Sequence, residues 1–155
     1  MRNFLSLTFL VLLINGCASF TQHWGEIPED INSKYAPGTD VQDTKLAEII
    51  CASGERQYYF IGTSKPSLKL QFDDEGFKLF KMSYDAVKLK PARRSFTLHW
   101  SFLDRYAIFK VKNFEFKENT RYFAKYSAKR DVVKVWIEQE DGKVVYGKKP
   151  EQGQF

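Results

Sequence analysis

Thiols and imidazoles are the side chains most often recruited to make or break bonds near neutral pH, and this chain holds few of them: Cys17, Cys51, His23 and His99. A thiol beside an imidazole is a nucleophile with its base, so a Cys51–His99 dyad is the one such pairing that strands far apart in sequence can bring together. Cys51 lies in the largely apolar run from Leu46 to Ala52. A thiol in such a setting behaves as a small hydrophobe, and core packing is its expected role. No Gly-x-Ser-x-Gly elbow, His-Glu-x-x-His, Cys-x-x-Cys or phosphate-cradling glycine loop occurs. Asp73-Asp74-Glu75-Gly76 offers oxygens to calcium without the alternate spacing of an EF-hand loop, so it is expected to be a solvated turn. A tight zinc site wants three or four convergent ligands and only scattered ones exist, so no metal and no cofactor are expected. Paired carboxylates can cleave glycosides. Many of the acids here fall before Asp43 or at turns, however, and the catalytic expectation is none, with a hydrolase kept only as a residual reading.

Binding surfaces are better supplied. Phe123 and Trp136, opposed on the outward face of a hairpin with Arg121 and Glu138 beside them, would form an aromatic patch suited to protein contacts or to stacking on sugar rings. The alternative is that another sheet or the returning N-terminal segment covers the patch. Lys88, Lys90, Arg93 and Arg94 cluster around one turn, where they would meet phosphate oxygens if they are not simply a solvated loop.

The start of the chain carries an address. Arg2 precedes a mostly apolar run from Phe4 to Ile14, and Asn15-Gly16-Cys17 follows. A charged flank, a short apolar stretch and a small residue before the cut describe an export signal. Eleven residues of helix rise about 16 Å, roughly half of a bilayer core, so the segment does not span alone. The stretch resembles the lipobox of bacterial lipoproteins, with Asn15 a departure from the usual residue at its position. That resemblance implies a signal peptide over 1–16, lipidation of Cys17, and, from Ala18 in place of Asp, an outer-membrane, periplasm-facing location. An ordinary secretory signal with Cys17 incidental is the other reading. In that case Cys17 and Cys51 can pair as a disulfide; with Cys17 lipidated, Cys51 is an odd thiol.

If Cys17 is the first mature residue, 139 of the 155 residues remain, enough for one domain with a sizeable core. Losing Arg2 takes the net charge from +5 to +4, a mild excess that fits phospholipid, lipopolysaccharide or cell-wall polymers better than nucleic acid. Residues 17–43 are poor in apolar residues and broken by Pro28, Pro37, Gly25 and Gly38, and so read as a tether, with Trp24 and Tyr35 as exceptions that either meet the membrane or fold back. Extended, some 26 residues reach about 85 Å, or nearer about 30 Å as a coil, which would let the body stand clear of the membrane.

From Lys45 onward the apolar period is two, the mark of half-buried strands. Phe96, Leu98, Trp100 and Phe102 alternate with Ser95, Thr97, His99 and Ser101. Ala107, Phe109 and Val111 lie on one parity and Phe114 and Phe116 on the other, which predicts a β-bulge near Lys112 and Asn113. Asp141-Gly142 predicts a hairpin after the Val132–Gln139 run. Before it, a four-residue loop over Ala128–Asp131 would pair Tyr126 with Val133, Ala124 with Val135 and Tyr122 with Ile137, at the cost of setting Lys125 opposite Lys134. Further strands are expected at Lys45–Ala52, Arg56–Gly62, Ser67–Phe72, Phe77–Met82 and Ala86–Leu89, with turns at Ser53-Gly54, Asp73–Gly76 and Pro91–Arg94. The sum is an all-β domain over 44–149, an antiparallel β-sandwich of about seven to nine short strands, followed by a tail at 150–155.

Pro91-Ala92-Arg93-Arg94-Ser95-Phe96-Thr97-Leu98, Phe114-Glu115-Phe116-Lys117, Arg121-Tyr122 and Val135-Trp136-Ile137-Glu138 before Asp141-Gly142-Lys143-Val144-Val145 resemble a pattern of small bacterial lipoproteins with a transthyretin-like β-sandwich, mostly without assigned activity. The likeness covers about Ala86 to Val145 and speaks to fold more than function. The expected function is a noncatalytic interaction or structural module of the cell envelope, with a membrane anchor and an envelope protein partner. The alternative is a binding protein for glycan or anionic lipid.

Overall fold

A computed structural model describes residues 22–59, 62–73, 83–130 and 132–151. These residues form twelve strands and no helix: β1 (His23–Trp24), β2 (Lys34–Tyr35), β3 (Ala47–Cys51), β4 (Gln57–Tyr59), β5 (Gly62–Ser64), β6 (Ser67–Phe72), β7 (Ala86–Leu89), β8 (Ala92–Phe102), β9 (Arg105–Phe116), β10 (Arg121–Lys129), β11 (Val132–Gln139) and β12 (Val144–Gly147). The larger sheet runs β12-β11-β10-β3-β7-β2, with β1 also on β10; a second sheet runs β6-β8-β9, and β4 pairs with β5. Lys45–Ala52, Ser67–Phe72, Ala86–Leu89 and Val132–Gln139 all contain or match observed strands, because alternation of buried and open side chains is a local signal. The expected strand Phe77–Met82 lies outside the described residues.

The all-antiparallel expectation does not hold. β3 runs parallel to β10 and β2 parallel to β7. A parallel pair needs a long crossover, and residues 52–120, which include the whole second sheet, supply one between β3 and β10.

Core side chains come from both sheets. Phe72, Phe96 and Phe116 of the second sheet cluster edge-on and tilted, and Phe114 and Phe116 meet Tyr122 of β10 at 5.3 and 5.6 Å between ring centroids. Trp100 meets Tyr126 in the same way at 6.0 Å. Along one side β6 is joined to the larger sheet's chain, where Leu68 donates to the Ala52 carbonyl and Leu70 exchanges bonds with Tyr84.

The bulge is where alternation requires it. Arg94 pairs with Phe114 and Phe96 with Val111, so Lys112 and Asn113 together face Ser95. Asn113 takes φ +52° and its N–H donates to Ser95 Oγ at 3.1 Å. This single extra residue turns Phe114 and Phe116 back into the core.

The β10–β11 hairpin differs from expectation by two residues. Lys129 pairs with Val132, Tyr126 with Val135 and Ala124 with Ile137, across a two-residue connection in which Arg130 takes φ +53°. A slip of two preserves every side chain's face, so the apolar pattern cannot distinguish the registers. The observed one sets Lys125 opposite Trp136 and Lys134 opposite Ser127, which removes the lysine pair. At the other end, Gly142 takes φ +83° in the expected Asp141-Gly142 turn.

The expected tether is part of the body from Gln22 onward. β1 and β2 pair into the larger sheet, Gly25 donates to the Tyr126 carbonyl, and Glu26 and Ser53 exchange two backbone bonds. Cys17 and residues 18–21 lie outside the described residues.

Candidate functional site

The register of the larger sheet lines up charged side chains on its outer face. Lys88 of β7 pairs with Tyr35 of β2 and with Glu48 of β3; Glu48 pairs with Arg121 of β10, whose carbonyl accepts the Glu140 N–H. The result is a cross-strand row in which Lys88, Glu48, Arg121 and Glu140 alternate in charge sign, with the neutral Tyr35 at its β2 end. Neighbouring strands lie about 4.8 Å apart, so each charge meets its opposite across one strand spacing. Arg121 Nε donates to Glu48 Oε2 at 2.8 Å, and its Nη1 to Glu140 Oε1 at 3.1 Å. Ser33 Oγ donates to the other Glu48 oxygen at 2.6 Å. Burial pushes the Glu48 carboxyl upward, but the hydrogen bonds from Ser33 and Arg121 and the charges of Arg121 and Lys88 outweigh it and hold its pKa below the ordinary value. The same pairing raises the Arg121 pKa.

This row forms the wall of an open groove of about 470 Å³ that also takes in Asp43, Leu46, Asn119 and Thr120. Arg121 and Glu140 are open to water while Glu48 is largely covered, and ion pairs with solvent-exposed members contribute little to stability, typically under about 1 kcal/mol each.

The sequence-derived patch is only partly what it was expected to be. Arg121, Phe123, Trp136 and Glu138 do share the outer face, but Trp136 is 1% and Glu138 4% exposed. Trp24 covers Trp136, with ring centroids 5.7 Å apart. Glu138 is enclosed by Lys125 and Lys149 ammonium groups and accepts the Trp136 Nε1–H at 3.0 Å. Burial raises its pKa, and the Lys125 and Trp136 hydrogen bonds with the two lysine charges more than reverse this, so it too sits low. Lys125 lies over the half-buried Phe123 ring. The returning N-terminal segment is thus the cover, and no open aromatic platform is formed by Trp136.

The basic cluster is dispersed for a local reason. Ala92, Arg93 and Arg94 belong to β8 rather than to a turn, so successive side chains point to opposite faces. Arg93 pairs with Glu115, Arg94 lies over Phe72, and Lys90 pairs with Asp43. Lys88 alone joins Arg121 in the groove.

Cys51 and His99 are not brought together. Cys51 is buried in the core, where burial and the Asp85 charge, against Lys69, push its thiol pKa well up. His99 alternates with the core residues Leu98 and Trp100 and bonds Gln71 on the opposite face of the second sheet at 3.1 Å. Asp73 accepts a bond from Thr97, while residues 74–76 of the acidic turn lie outside the described residues. Among the described residues no group of three His, Cys, Asp or Glu side chains is placed to hold a metal ion.

Sequence reasoning missed Tyr35, Glu48 and Glu140 as site residues. The signal that finds them is register between strands 73 residues apart, which periodicity does not contain. No family model, curated protein or solved structure matches the chain.

Proposed function

We propose that this chain is an outer-membrane lipoprotein, anchored through Cys17 and facing the periplasm, whose β-sandwich body is a noncatalytic interaction module binding an envelope protein. The anchor is supported by the lipobox-like run ending at Cys17. The sandwich reading is supported by the ring contacts of Phe114, Phe116 and Trp100 with Tyr122 and Tyr126 across one shared core.

The observation that carries the interaction reading is the charged row from Tyr35 to Glu140. Arg121 is already held between Glu48 and Glu140, so less side-chain ordering opposes binding there. Alternating signs suit the mixed charges of a protein surface and disfavour a uniformly anionic polymer at that site. With Trp136 covered, a sugar-stacking role for the aromatic patch loses its platform.

Crosslinking in intact cells followed by mass spectrometry tests this. A discrete protein should be trapped through lysines bordering the groove, and Arg121→Glu should abolish the adduct while the fold persists by circular dichroism. Absence of any protein adduct across several crosslinkers, or retention on isolated cell wall unaffected by Arg121→Glu, would overturn it.

A further inference from the structure

Apolar side chains are concentrated at one end of the body. Seven large hydrophobic residues are exposed among the described residues, and four of them, Leu103, Tyr106, Ile108 and Val132, belong to the β8–β9 and β10–β11 hairpins near their tips. Arg105 of the first hairpin donates from Nη1 to the Arg130 carbonyl of the second at 3.0 Å, which sets the two tips side by side. Between them Trp100, Ala107, Phe109 and Val133 line an open groove of about 470 Å³.

Leu103 is unexpected on local grounds. It occupies a two-residue turn at φ +55°, a conformation that glycine or asparagine adopts more easily, and it is 56% exposed. A large apolar residue that is both strained and open to water gains nothing from folding, which directs attention to what it meets outside the chain.

Three observations specify that occupant. The first is where the chain enters the body. His23 pairs with Ala128 and Trp24 with Ser127 in antiparallel sense, so reading backwards toward the N-terminus advances toward Lys129 and the tips. Gln22 donates to Ser127 Oγ at 2.7 Å, and the His23 ring lies 6.4 Å from Phe102 beside the β8–β9 turn. The second is the length of chain before that point. Cys17 is five residues upstream of Gln22, a span of at most about 18 Å. The third is charge. Segments 102–110 and 129–134 hold Arg105, Lys110, Lys129, Arg130 and Lys134 against Asp104 and Asp131, a net of +3.

We propose that the paired hairpin tips are a membrane-docking face, seated on the anionic head groups of the leaflet that carries the Cys17 anchor. It rests on the anchored-lipoprotein reading for what brings the tips to the bilayer. Leu103 and Val132 enter the acyl boundary, Tyr106 lies at head-group level, and Arg105, Lys129 and Arg130 meet lipid phosphates. β10 then stands away from the membrane. Arg121 is eight residues from Lys129, so the charged groove is carried about 26 Å above the surface, open to a periplasmic partner.

The test uses the native lipoprotein reconstituted in vesicles of phosphatidylethanolamine with phosphatidylglycerol. Nitroxide labels are placed through Leu103→Cys, Val132→Cys, Val41→Cys and Asp141→Cys, with the buried Cys51 left unlabelled. Oxygen in the lipid should relax the labels at 103 and 132 and a water-soluble nickel chelate should relax those at 41 and 141. Replacing Arg105, Lys129 and Arg130 with Gln should raise chelate access at position 103 by about threefold or more on these vesicles and leave it unchanged on phosphatidylcholine. Labels at 103 and 132 as wet as that at 41 would overturn the docking face. Mass analysis of the same sample separates the two readings: an unacylated Cys17 with buried tips sinks the anchor alone, and an acylated Cys17 with wet tips sinks the docking face alone.

Discussion

Trp24 meets Trp136 edge-on, with ring planes at 77°, and this contact converts what would be an open aromatic patch on β11 into interior. The positive edge of one indole faces the negative face of the other, a geometry worth about 1 kcal/mol beyond area burial. Trp24→Ala is expected to cost about 2 kcal/mol in all and to expose Trp136. Trp24→Phe should recover most of the loss. Chemical denaturation midpoints, with the emission maximum of the remaining tryptophans, check this.

Gly25 allows the N-terminal segment its approach to β10. A Cβ there would lie 2.3 Å from Tyr126 Cε1 and 2.9 Å from Ala52 Cβ, both on buried residues. Gly25→Ala is therefore expected to cost about 2 kcal/mol or to release the segment. Released, the amide protons of Gly25 and Glu26 should exchange markedly faster while those of β8 remain protected. Unchanged protection at both would show that the segment is not clamped there.

Glu138 and Glu48 both have folded-state pKa values below the ordinary carboxylate value of 4.5. A depressed carboxyl contributes stability that is present above the unfolded-state pKa and is lost as pH falls through the folded one. The body should therefore weaken on acidification below about pH 4.5. Glu138→Gln should flatten that slope and, by leaving Lys125 without its partner, lower stability at neutral pH by about 2 kcal/mol. Denaturation at a series of pH values gives both quantities.

The bulge at Lys112–Asn113 makes a sharp test of backbone geometry. Asn113→Gly should be tolerated within about 0.5 kcal/mol, whereas Asn113→Val should cost about 2 kcal/mol because a branched side chain opposes the left-handed conformation. Ser95→Ala, which removes the acceptor for the Asn113 N–H, should cost about 1 kcal/mol. Equal effects of Gly and Val at position 113 would contradict the bulge.

Cys51 should be inert in the native protein. Burial and Asp85 disfavour its thiolate, so a thiol reagent at pH 8 is expected to modify it only as fast as the body opens, and at once in denaturant. Rapid native-state labelling would place Cys51 outside the core.

Much of the architecture was legible because strand alternation is written residue by residue. Ser67–Phe72, Ala86–Leu89 and Val132–Gln139 were found at their observed bounds, and the parity switch between Val111 and Phe114 located the bulge. The β10–β11 register was not legible, since slips of two residues leave the same side chains inside. The site was less legible still. Arg121 and Lys88 were singled out for different reasons at different places, and only the β3–β10 and β3–β7 pairings bring them to the two sides of Glu48.

By itself, then, the order of residues determined the all-β class, the inward face of each long strand, the Asp141-Gly142 turn and the bulge, because each depends on neighbours within a few positions. Tertiary structure decided that β3 runs parallel to β10, that Glu48 meets Arg121, and that the segment from Gln22 to Tyr35 is part of the body rather than a leash. The reason is physical: a polar, glycine-interrupted stretch reads the same whether water or a sheet satisfies its backbone, and two-residue strands acquire their stability only from the surface they cover.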